Sequence, residues 1–157
     1  SKKLAEAICF SSSKATVNRI ALAAGPYPKP DDTRLLFELI RRAKIENKVM
    51  LRGGLKNLRQ YQYTGSCAIK MLVTGVIGRD QLYNNAGSDI VTISDLGKLV
   101  AKTVGVPYEE PSDAKDLEGA PQNVTIDMSK FINEFSDLRD LDVDTEELIK
   151  FLLEDIT

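Results

Sequence analysis

The sequence predicts an α/β fold, in which a parallel sheet forms the core and a more irregular α+β portion is attached to it. Helical and strand patterns alternate through the first half of the chain, as they do in proteins with parallel sheets. The apolar stretch of residues 17–24 has the length and composition of a buried strand. In the second half, short elements flank a connection rich in Pro, Asp and Glu, which indicates the irregular portion.

The first third of the chain is expected to contain a helix, the buried strand and a second helix. Apolar residues at helical spacing predict a helix over residues 3–10, directly before the strand. Three prolines between residues 25 and 32 exclude regular structure there. The amphipathic pattern of residues 33–44 then predicts a helix whose buried stripe is Leu35, Leu36, Leu39 and Ile40.

The middle of the chain contains three short strand candidates and one helix. Residues 49–51 and the alternating segment 60–63 are the first two strand candidates. Apolar residues at helical spacing predict a helix over residues 68–78. Residues 81–84 form the third strand candidate, so helices and strands still alternate at this point.

Capping signals mark two helices of the second half. Ser94 is a suitable N-cap for a helix that runs to about Val104, where Gly105 followed by Pro107 ends it. Asp144 with Glu147 three positions later resembles the capping box of the last helix. Between these helices we expect an irregular surface connection over residues 108–122 and a short helix over residues 127–135.

The composition excludes several classes of protein. With 157 residues, 43% hydrophobic and 28% charged, the chain is long enough and apolar enough to form a globular core. Its 21 basic and 23 acidic residues are mixed along the sequence and give a net charge of -2. Because no basic region is present, nucleic acid is not an expected partner.

The cysteine and histidine counts narrow the chemistry further. The absence of histidine excludes His-based triads and the common zinc sites, so no metal site is expected. Two cysteines are too few for a disulfide framework, and no signal peptide or apolar run of membrane length occurs. We therefore expect a cytoplasmic protein without a membrane partner.

Five motifs follow one another along the chain in a specific order. They are Ser1-Lys2 with Glu6, Val17-x-Arg19 with Gly25-Pro26, Arg59-x-Tyr61-x-Tyr63, Tyr83-Asn84-x-Ala86-Gly87-Ser88 followed by Val91 to Leu96, and Asp127-x-Ser129-Lys130. In this order they resemble the C-terminal half of the extended short-chain dehydrogenase/reductase family, and in particular its NAD-dependent nucleotide-sugar epimerases and dehydratases. The resemblance covers essentially the whole chain.

The resemblance implies that the chain combines parts of two domains. Residues 1–26 and 65–85 would be the end of the nucleotide-binding (Rossmann) domain and its parallel sheet. Residues 27–64 and 86–157 would form a small α+β substrate-binding lobe. The chain also begins inside a helical pattern and without methionine, so we expect a fragment of a longer parent.

The resemblance also implies where the chemistry of the parent lies. In the family a tyrosine removes a hydroxyl proton while hydride passes to the nicotinamide, and a lysine lowers the pKa of that tyrosine and holds the nicotinamide ribose. Lys2 occupies the position of this lysine, which makes it the candidate catalytic and cofactor-binding residue, although by itself it is an ordinary exposed lysine. The tyrosine would precede Ser1, and the glycine fingerprint for the pyrophosphate is missing. We therefore expect NAD or NADP to bind the full-length parent, and this fragment alone to be inactive and to bind neither.

Five positions are the implied substrate-binding residues. Arg59 occupies the place of an arginine that contacts the nucleotide diphosphate or ribose, because its planar fork of donors suits phosphate oxygens; a surface ion pair is the alternative. Val49 and Leu51 lie where the family packs the nucleotide base, although simple core residues would fit equally well. Tyr27 would line the same cleft or pack on the surface, and Gln122 takes the place of a second phosphate-binding arginine.

Departures from the family pattern leave two alternatives open. Leu22 stands where the family has an asparagine that holds the sugar nucleotide, Ala24 replaces an aromatic residue, and Gly65-Ser66 replaces an acidic pair. The first alternative is a reductase-like protein of the same fold with a regulatory or structural role. The second is an extended-family reductase for a non-sugar carbonyl compound, which the apolar strand end at residues 21–24 would suit.

The remaining partners also follow from the resemblance. The parent is expected to bind a nucleotide-sugar substrate. A homodimer is possible through the first helix, residues 3–10, in which Ile8 and Phe10 would be the apolar contact residues, with core packing as the alternative.

Overall fold

The computed structural model describes residues 1–12, 15–29, 31–110 and 122–156. The helices are α1 (Lys2–Phe10), α2 (Leu35–Glu46), α3 (Thr64–Ile77), α4 (Ile93–Val104), α5 (Ser129–Glu134) and α6 (Thr145–Asp155), with a 3-10 helix, Ser136–Leu141, before α6. The strands are β1 (Val17–Ile20), β2 (Leu22–Ala24), β3 (Val49–Met50), β4 (Leu58–Arg59), β5 (Tyr61–Tyr63), β6 (Leu82–Asn85), β7 (Val91–Thr92) and β8 (Tyr108–Glu109).

Most strand pairs are parallel, which confirms the predicted α/β class. β1 pairs with β6, β2 with β5 and β3 with β8, each in parallel, whereas β4 and β7 are antiparallel. α3 lies between β5 and β6 in sequence and packs against both strands. The described strands thus form four two-stranded sheets, three parallel and one antiparallel.

The apolar stretch 17–24 forms two strands rather than the one that its composition predicts. The chain breaks at Ala21, whose N–H donates a 3.0 Å hydrogen bond to the carbonyl of Asn85 at the end of β6. After this residue the strand changes partner from β6 to β5. Composition predicts a buried strand but cannot show this change of partner. Of the two strands only Ala24 is buried, and Arg19 and Ile20 of β1 are exposed, so the prediction of burial is wrong for β1.

Local hydrogen bonds move the starts of α2 and α4 away from the predicted positions. α2 begins at Leu35 rather than at residue 33, because the N–H of Arg34 donates to Asp32 Oδ1 at 3.0 Å and holds that turn outside the helix. The N-cap of α4 is Thr92, whose Oγ1 accepts from the N–H of Asp95 at 3.0 Å, so the prediction of Ser94 as the cap is wrong.

Other end signals are confirmed. Gly105 ends α4 in the left-handed region at φ 81°, as expected of a C-terminal glycine. Asp144 caps α6 by accepting from the N–H of Glu147 at 2.7 Å. Of the connection predicted over residues 108–122, Tyr108 and Glu109 form β8, and residues 111–121 lie outside the described part of the chain.

The buried apolar side chains form two clusters. The larger joins α2, α4 and α6 around β3 and β5, and the smaller joins β6 to α5 through Tyr83, Phe131 and Phe135. None of the described helices is both long enough and apolar enough to cross a membrane.

Candidate functional site

Arg59 stands at the wall between two cavities. The first, here called the arginine cavity, has a volume of about 330 Å³ and is lined by three arginines, Arg42, Arg52 and Arg59. The second, here called the strand-end cavity, has a volume of about 350 Å³ and is lined by Arg59 and by residues at the β1–β2 junction. Both volumes are of the size that small-molecule sites have.

The strand position of Arg59 explains how one side chain reaches both cavities. Arg59 is the last residue of β4, and only 8% of its surface is exposed. Its Nη1 donates to the carbonyl of Leu58 at 2.8 Å and to the carbonyl of Gln122 at 3.2 Å. These bonds fix the orientation of a buried cation at a cavity surface, as recognition of an anion requires.

The arginine cavity combines cations with an apolar wall. Leu51 is 4% exposed and lines the cavity together with Ile93. Arg42 is held by Glu46 at 2.9 Å, and this hydrogen bond raises the pKa of Arg42. Arg52 lines the same cavity and is exposed to solvent. The cavity therefore offers apolar surface to a ring and guanidinium groups to phosphate oxygens.

The strand-end cavity has fewer charged residues in its wall than the arginine cavity has. Ala21, Leu22 and Ala23 line it, together with Arg34 and Tyr61. The guanidinium of Arg34 donates to the carbonyl of Ala23 at 2.9 Å. Burial raises the pKa of Tyr61 to about 12, so its phenol is neutral at physiological pH.

The other predicted substrate residues are not all at these cavities. Val49, 2% exposed, packs in the main core and does not line the arginine cavity. Tyr27 is 87% exposed, has a left-handed φ of 56° and lines neither cavity. Gln122 is exposed and reaches Arg59 through its main-chain carbonyl.

Lys2 lines neither the arginine cavity nor the strand-end cavity. It is exposed at the start of α1 and lines a cavity of about 440 Å³ between α1 and β1, which shares no described lining residue with the arginine cavity. In the same cavity Arg19 donates two hydrogen bonds to the carboxylate of Glu6, at 3.0 and 2.8 Å. Two residues of different sequence motifs thus join α1 to β1, and Arg19 lowers the pKa of Glu6.

Arg42 and Arg52 are the cavity residues that the sequence predictions omit. The spacing of Arg42 from Leu35 and Leu39 places all three on one face of α2, so helical periodicity contained this signal. Arg52 directly precedes the turn at Gly53 but carries no distinguishing pattern. Within the described ranges, no group of three or more His, Cys, Asp or Glu side chains has a geometry that would hold a metal ion.

Comparisons with known proteins find similarity of structure but not of sequence. No protein-family model matches the chain, and no curated protein matches it significantly. A dTDP-glucose 4,6-dehydratase from Bacillus anthracis, solved with NAD, is 20% identical, with a TM-score of 0.75, over 98% of this chain and 48% of the dehydratase. RMD from Pseudomonas aeruginosa, solved with NADPH, is 19% identical, with a TM-score of 0.77, over 99% of this chain and 54% of RMD.

A third structure belongs to the epimerases. UDP-glucose 4-epimerase from Thermotoga maritima, solved with UDP-glucose, is 20% identical, with a TM-score of 0.66, over 88% of this chain and 44% of the epimerase. The chain thus spans about half the length of the solved structures that it matches. It shares its fold with about half of each of these structures, in agreement with the resemblance that its sequence motifs show.

Proposed function

We propose that the chain is the substrate-binding portion of an NAD(P)-dependent nucleotide-sugar epimerase or dehydratase, and that the arginine cavity binds the nucleoside diphosphate. The observation that carries this proposal is Arg59, a buried cation held by main-chain carbonyls at a cavity surface. Arg59 would contact the diphosphate, and the exposed Arg52 would contact it from the solvent side. Leu51 and Ile93 would pack against the base.

The solved structures support the substrate class. One similar structure is a dTDP-glucose dehydratase with NAD, and another is an epimerase with UDP-glucose. dTDP-glucose and UDP-glucose each combine a base, a pentose and a diphosphate, which matches the apolar wall and the arginines of the cavity. We propose the same class for this chain and leave the nucleotide and the sugar open.

The residues of this chain fit only part of an NAD(P) site. Lys2 is exposed at a cavity beside β1, where an ammonium group would reach a ribose hydroxyl of the cofactor. The sequence contains no Gly-x-x-Gly-x-x-Gly run to approach a pyrophosphate. When bound to the parent, the nicotinamide would accept and return a hydride. We propose that the chain alone does not bind NAD(P) and is inactive.

The division into two domains is part of the same proposal. Residues 1–26 and 65–85 would belong to the nucleotide-binding domain, and residues 27–64 and 86–157 to the substrate-binding lobe. Exposed apolar side chains on α3, Leu72 at 67% and Val76 at 80%, support this division because a nucleotide-binding half would cover them.

A homodimer is proposed through α1. Leu4 and Ile8 lie on this helix and are 64% and 63% exposed, so they form an apolar surface that a second copy would bury. Sedimentation of the full-length parent at increasing concentration tests this, with Ile8→Lys as the variant that should yield monomers.

We also propose that the parent is located in the cytoplasm.

Titration of the chain with UDP, dTDP, GDP and CDP, followed by amide NMR shifts, tests the proposed function. We expect saturable shifts at Leu51, Arg59 and Ile93 with at least one diphosphate, and no such shifts with the matching nucleoside, which lacks the phosphates. NAD should cause no saturable shift. The proposal fails if none of the four diphosphates binds or if the shifts lie outside the arginine cavity.

The strand-end cavity favours a second candidate, a reductase for a non-sugar carbonyl compound. Leu22 and its alanine neighbours supply an apolar wall there, without the amide that would hold a sugar nucleotide. An apolar ketone such as cyclohexanone should then shift the amides of Ala21 to Ala23 while the diphosphates shift nothing. If neither class of ligand binds, a regulatory or structural role remains.

A further inference from the structure

We propose that a separate cavity, on the opposite face of the β4–β5 segment from Arg59, binds a small neutral molecule with an apolar body and a primary-amide head group. This Lys70 cavity has a volume of about 500 Å³ and is lined by Gln60, Lys70 and Asp142, among others. Neighbouring side chains of an extended segment point to opposite faces, so Gln60 faces this cavity and Arg59 faces the arginine cavity. The described linings of the two cavities have no residue in common.

The body of the ligand is defined by the cavity wall. Six apolar side chains, from the loop after β6, from α5 and its N-terminal flank, and from the 3-10 helix, form most of it. They are Ile90, Ile126, Met128, Phe131, Ile132 and Leu138. A volume of about 500 Å³ lies within the range of small-molecule sites, and one aromatic or short aliphatic body would fit it.

A buried charge pair lies at the edge of this apolar wall. Lys70, on α3, is 1% exposed; its Nζ donates to the carbonyl of Ala86 at 2.6 Å and pairs with Asp142 Oδ1. Apolar side chains of similar volume often replace a buried ion pair without loss of stability. The pair is therefore weak evidence for stability, and its place in the cavity wall makes it a candidate for ligand recognition.

The hydrogen-bond donors and acceptors that Lys70 and Asp142 do not use with described residues define the head group of the ligand. Lys70 has three N–H donors, of which Ala86 and Asp142 take two. No described residue donates to Asp142 Oδ2. Gln60 is held in place at both ends of its amide, because its Oε1 accepts from the N–H of Ile126 at 2.9 Å and its Nε2 donates to the carbonyl of Gly87 at 2.8 Å, which leaves one N–H of Nε2. Among the described residues, one N–H of Lys70, whose Nζ lies 5.9 Å from the centre of the Phe131 ring, and Asp142 Oδ2 therefore have no hydrogen-bond partner, and a primary amide complements both.

The charge of the pair selects against ionised ligands. Lys70 and Asp142 sum to zero, and Asp127, which accepts from Ser129, adds a carboxylate to the same wall. A carboxylate would therefore meet Asp142 and Asp127 as like charges, and an ammonium would meet Lys70 as one. A ligand without a polar head would leave the free donor and acceptor unpaired when it displaces water. Neutral amides are therefore preferred over their charged and apolar isosteres.

The test compares four probes of matched shape on the unmodified chain: benzamide, benzoate, benzylamine and toluene. Amide NMR titration should give saturable shifts with benzamide at Gly87, Ser88 and Phe131, and at least tenfold weaker binding of the other three. Absence of saturable shifts with benzamide overturns the proposal. Equal binding of toluene or benzoate overturns it as well, because the charge pair then plays no part in recognition.

A double variant tests the pair directly. Lys70→Met with Asp142→Leu replaces both charged side chains by apolar ones, so benzamide affinity should fall at least tenfold while toluene affinity is kept. The matched control is Lys130→Met with Asp80→Leu, an exposed pair at 2.6 Å outside the cavity, which should bind benzamide as the unmodified chain does. Unchanged benzamide affinity in the Lys70 double variant overturns the proposal. If that variant does not fold, the four-probe comparison decides alone.

Discussion

Arg59 Nη1 donates a 3.2 Å hydrogen bond to the main-chain carbonyl of Gln122, 63 positions further along the chain. The segment around Gln122 is fixed to β4 by two further bonds, from the N–H of Val124 to the carbonyl of Leu58 at 3.0 Å and from the N–H of Leu58 to Asn123 Oδ1 at 2.9 Å. Two residues that sequence motifs single out separately thus meet, with the carbonyl of Gln122 rather than its side chain as the acceptor.

Arg59→Gln should weaken nucleoside diphosphate binding. A hydrogen bond to a charged group contributes about 1.5–3 kcal/mol, so the affinity for whichever nucleoside diphosphate binds in the titration should fall roughly 10- to 100-fold. Arg59→Lys should recover only part of it, because an ammonium lacks the planar fork. Isothermal titration measures the change, and circular dichroism verifies that the variants are folded.

The matched control for Arg59 is Arg79→Gln. Arg79 is exposed and lines neither the arginine cavity nor the strand-end cavity. Its variant should bind the diphosphate as the unmodified chain does. An affinity of Arg59→Gln within twofold of the control would contradict the assignment of Arg59 to the phosphates.

Tyr61 should make stability depend on pH in the alkaline range. Burial raises its pKa from 10.0 to about 12 in the folded chain, so above pH 10 the unfolded state loses the phenolic proton first. The contribution of Tyr61 to the free energy of unfolding should therefore be complete below pH 10 and should be lost as the pH rises towards 12. At about 1.4 kcal/mol per tenfold change in acidity constant, the loss is on the order of 2 to 3 kcal/mol.

Urea unfolding at several pH values between 9 and 12 measures the effect of Tyr61, with Tyr61→Phe as the reference. The other four of the five tyrosines are present in both proteins, so the difference between the two curves isolates Tyr61. Parallel curves over this range would show that the Tyr61 phenol is not buried as described.

Thr92→Ala and Ser94→Ala separate the observed N-cap of α4 from the one that the sequence predicts. Thr92 Oγ1 accepts from the N–H of Asp95, so its loss should cost about 1 kcal/mol in the free energy of unfolding. Ser94 Oγ bonds instead to Glu110 and to the hydroxyl of Tyr108, both at 3.1 Å, at a partly exposed site. Its removal should cost less than that of Thr92. Denaturant titration of both variants checks the order, and the reverse order would restore Ser94 as the cap.

The cap of α4 also shows what the sequence can and cannot predict. The existence of the helix and its glycine end follow from local pattern, and both are confirmed at Gly105. The choice between Thr92 and Ser94 depends on where the preceding strand ends. β7 ends at Thr92, which pairs with Leu58 of β4, 34 positions earlier in the chain. Local pattern contains no information about that pairing.

α3 shows the same limit for a candidate site. Its apolar residues are at helical spacing, yet Leu72 and Val76 are largely exposed, while Lys70 and Thr74 are each 1% exposed. Thr74 is buried with a polar partner from β1, because its Oγ1 accepts from Asn18 Nδ2 at 3.0 Å. Distant partners therefore decide which face of α3 is buried, and the Lys70 cavity could not be predicted from periodicity.

Breaking the Lys70–Asp142 pair should be much more costly than removing both of its members. Lys70→Met alone leaves the Asp142 carboxylate without its buried cation, and Asp142→Leu alone leaves a buried ammonium, so each should lower the free energy of unfolding by about 3–5 kcal/mol. The double variant places two apolar side chains together and should lie within about 1–2 kcal/mol of the unmodified chain. Urea unfolding of all four proteins gives the coupling energy between the two sites. Additive single losses would show that Lys70 and Asp142 do not act as a buried pair, and the head-group argument for the Lys70 cavity would then lose its basis.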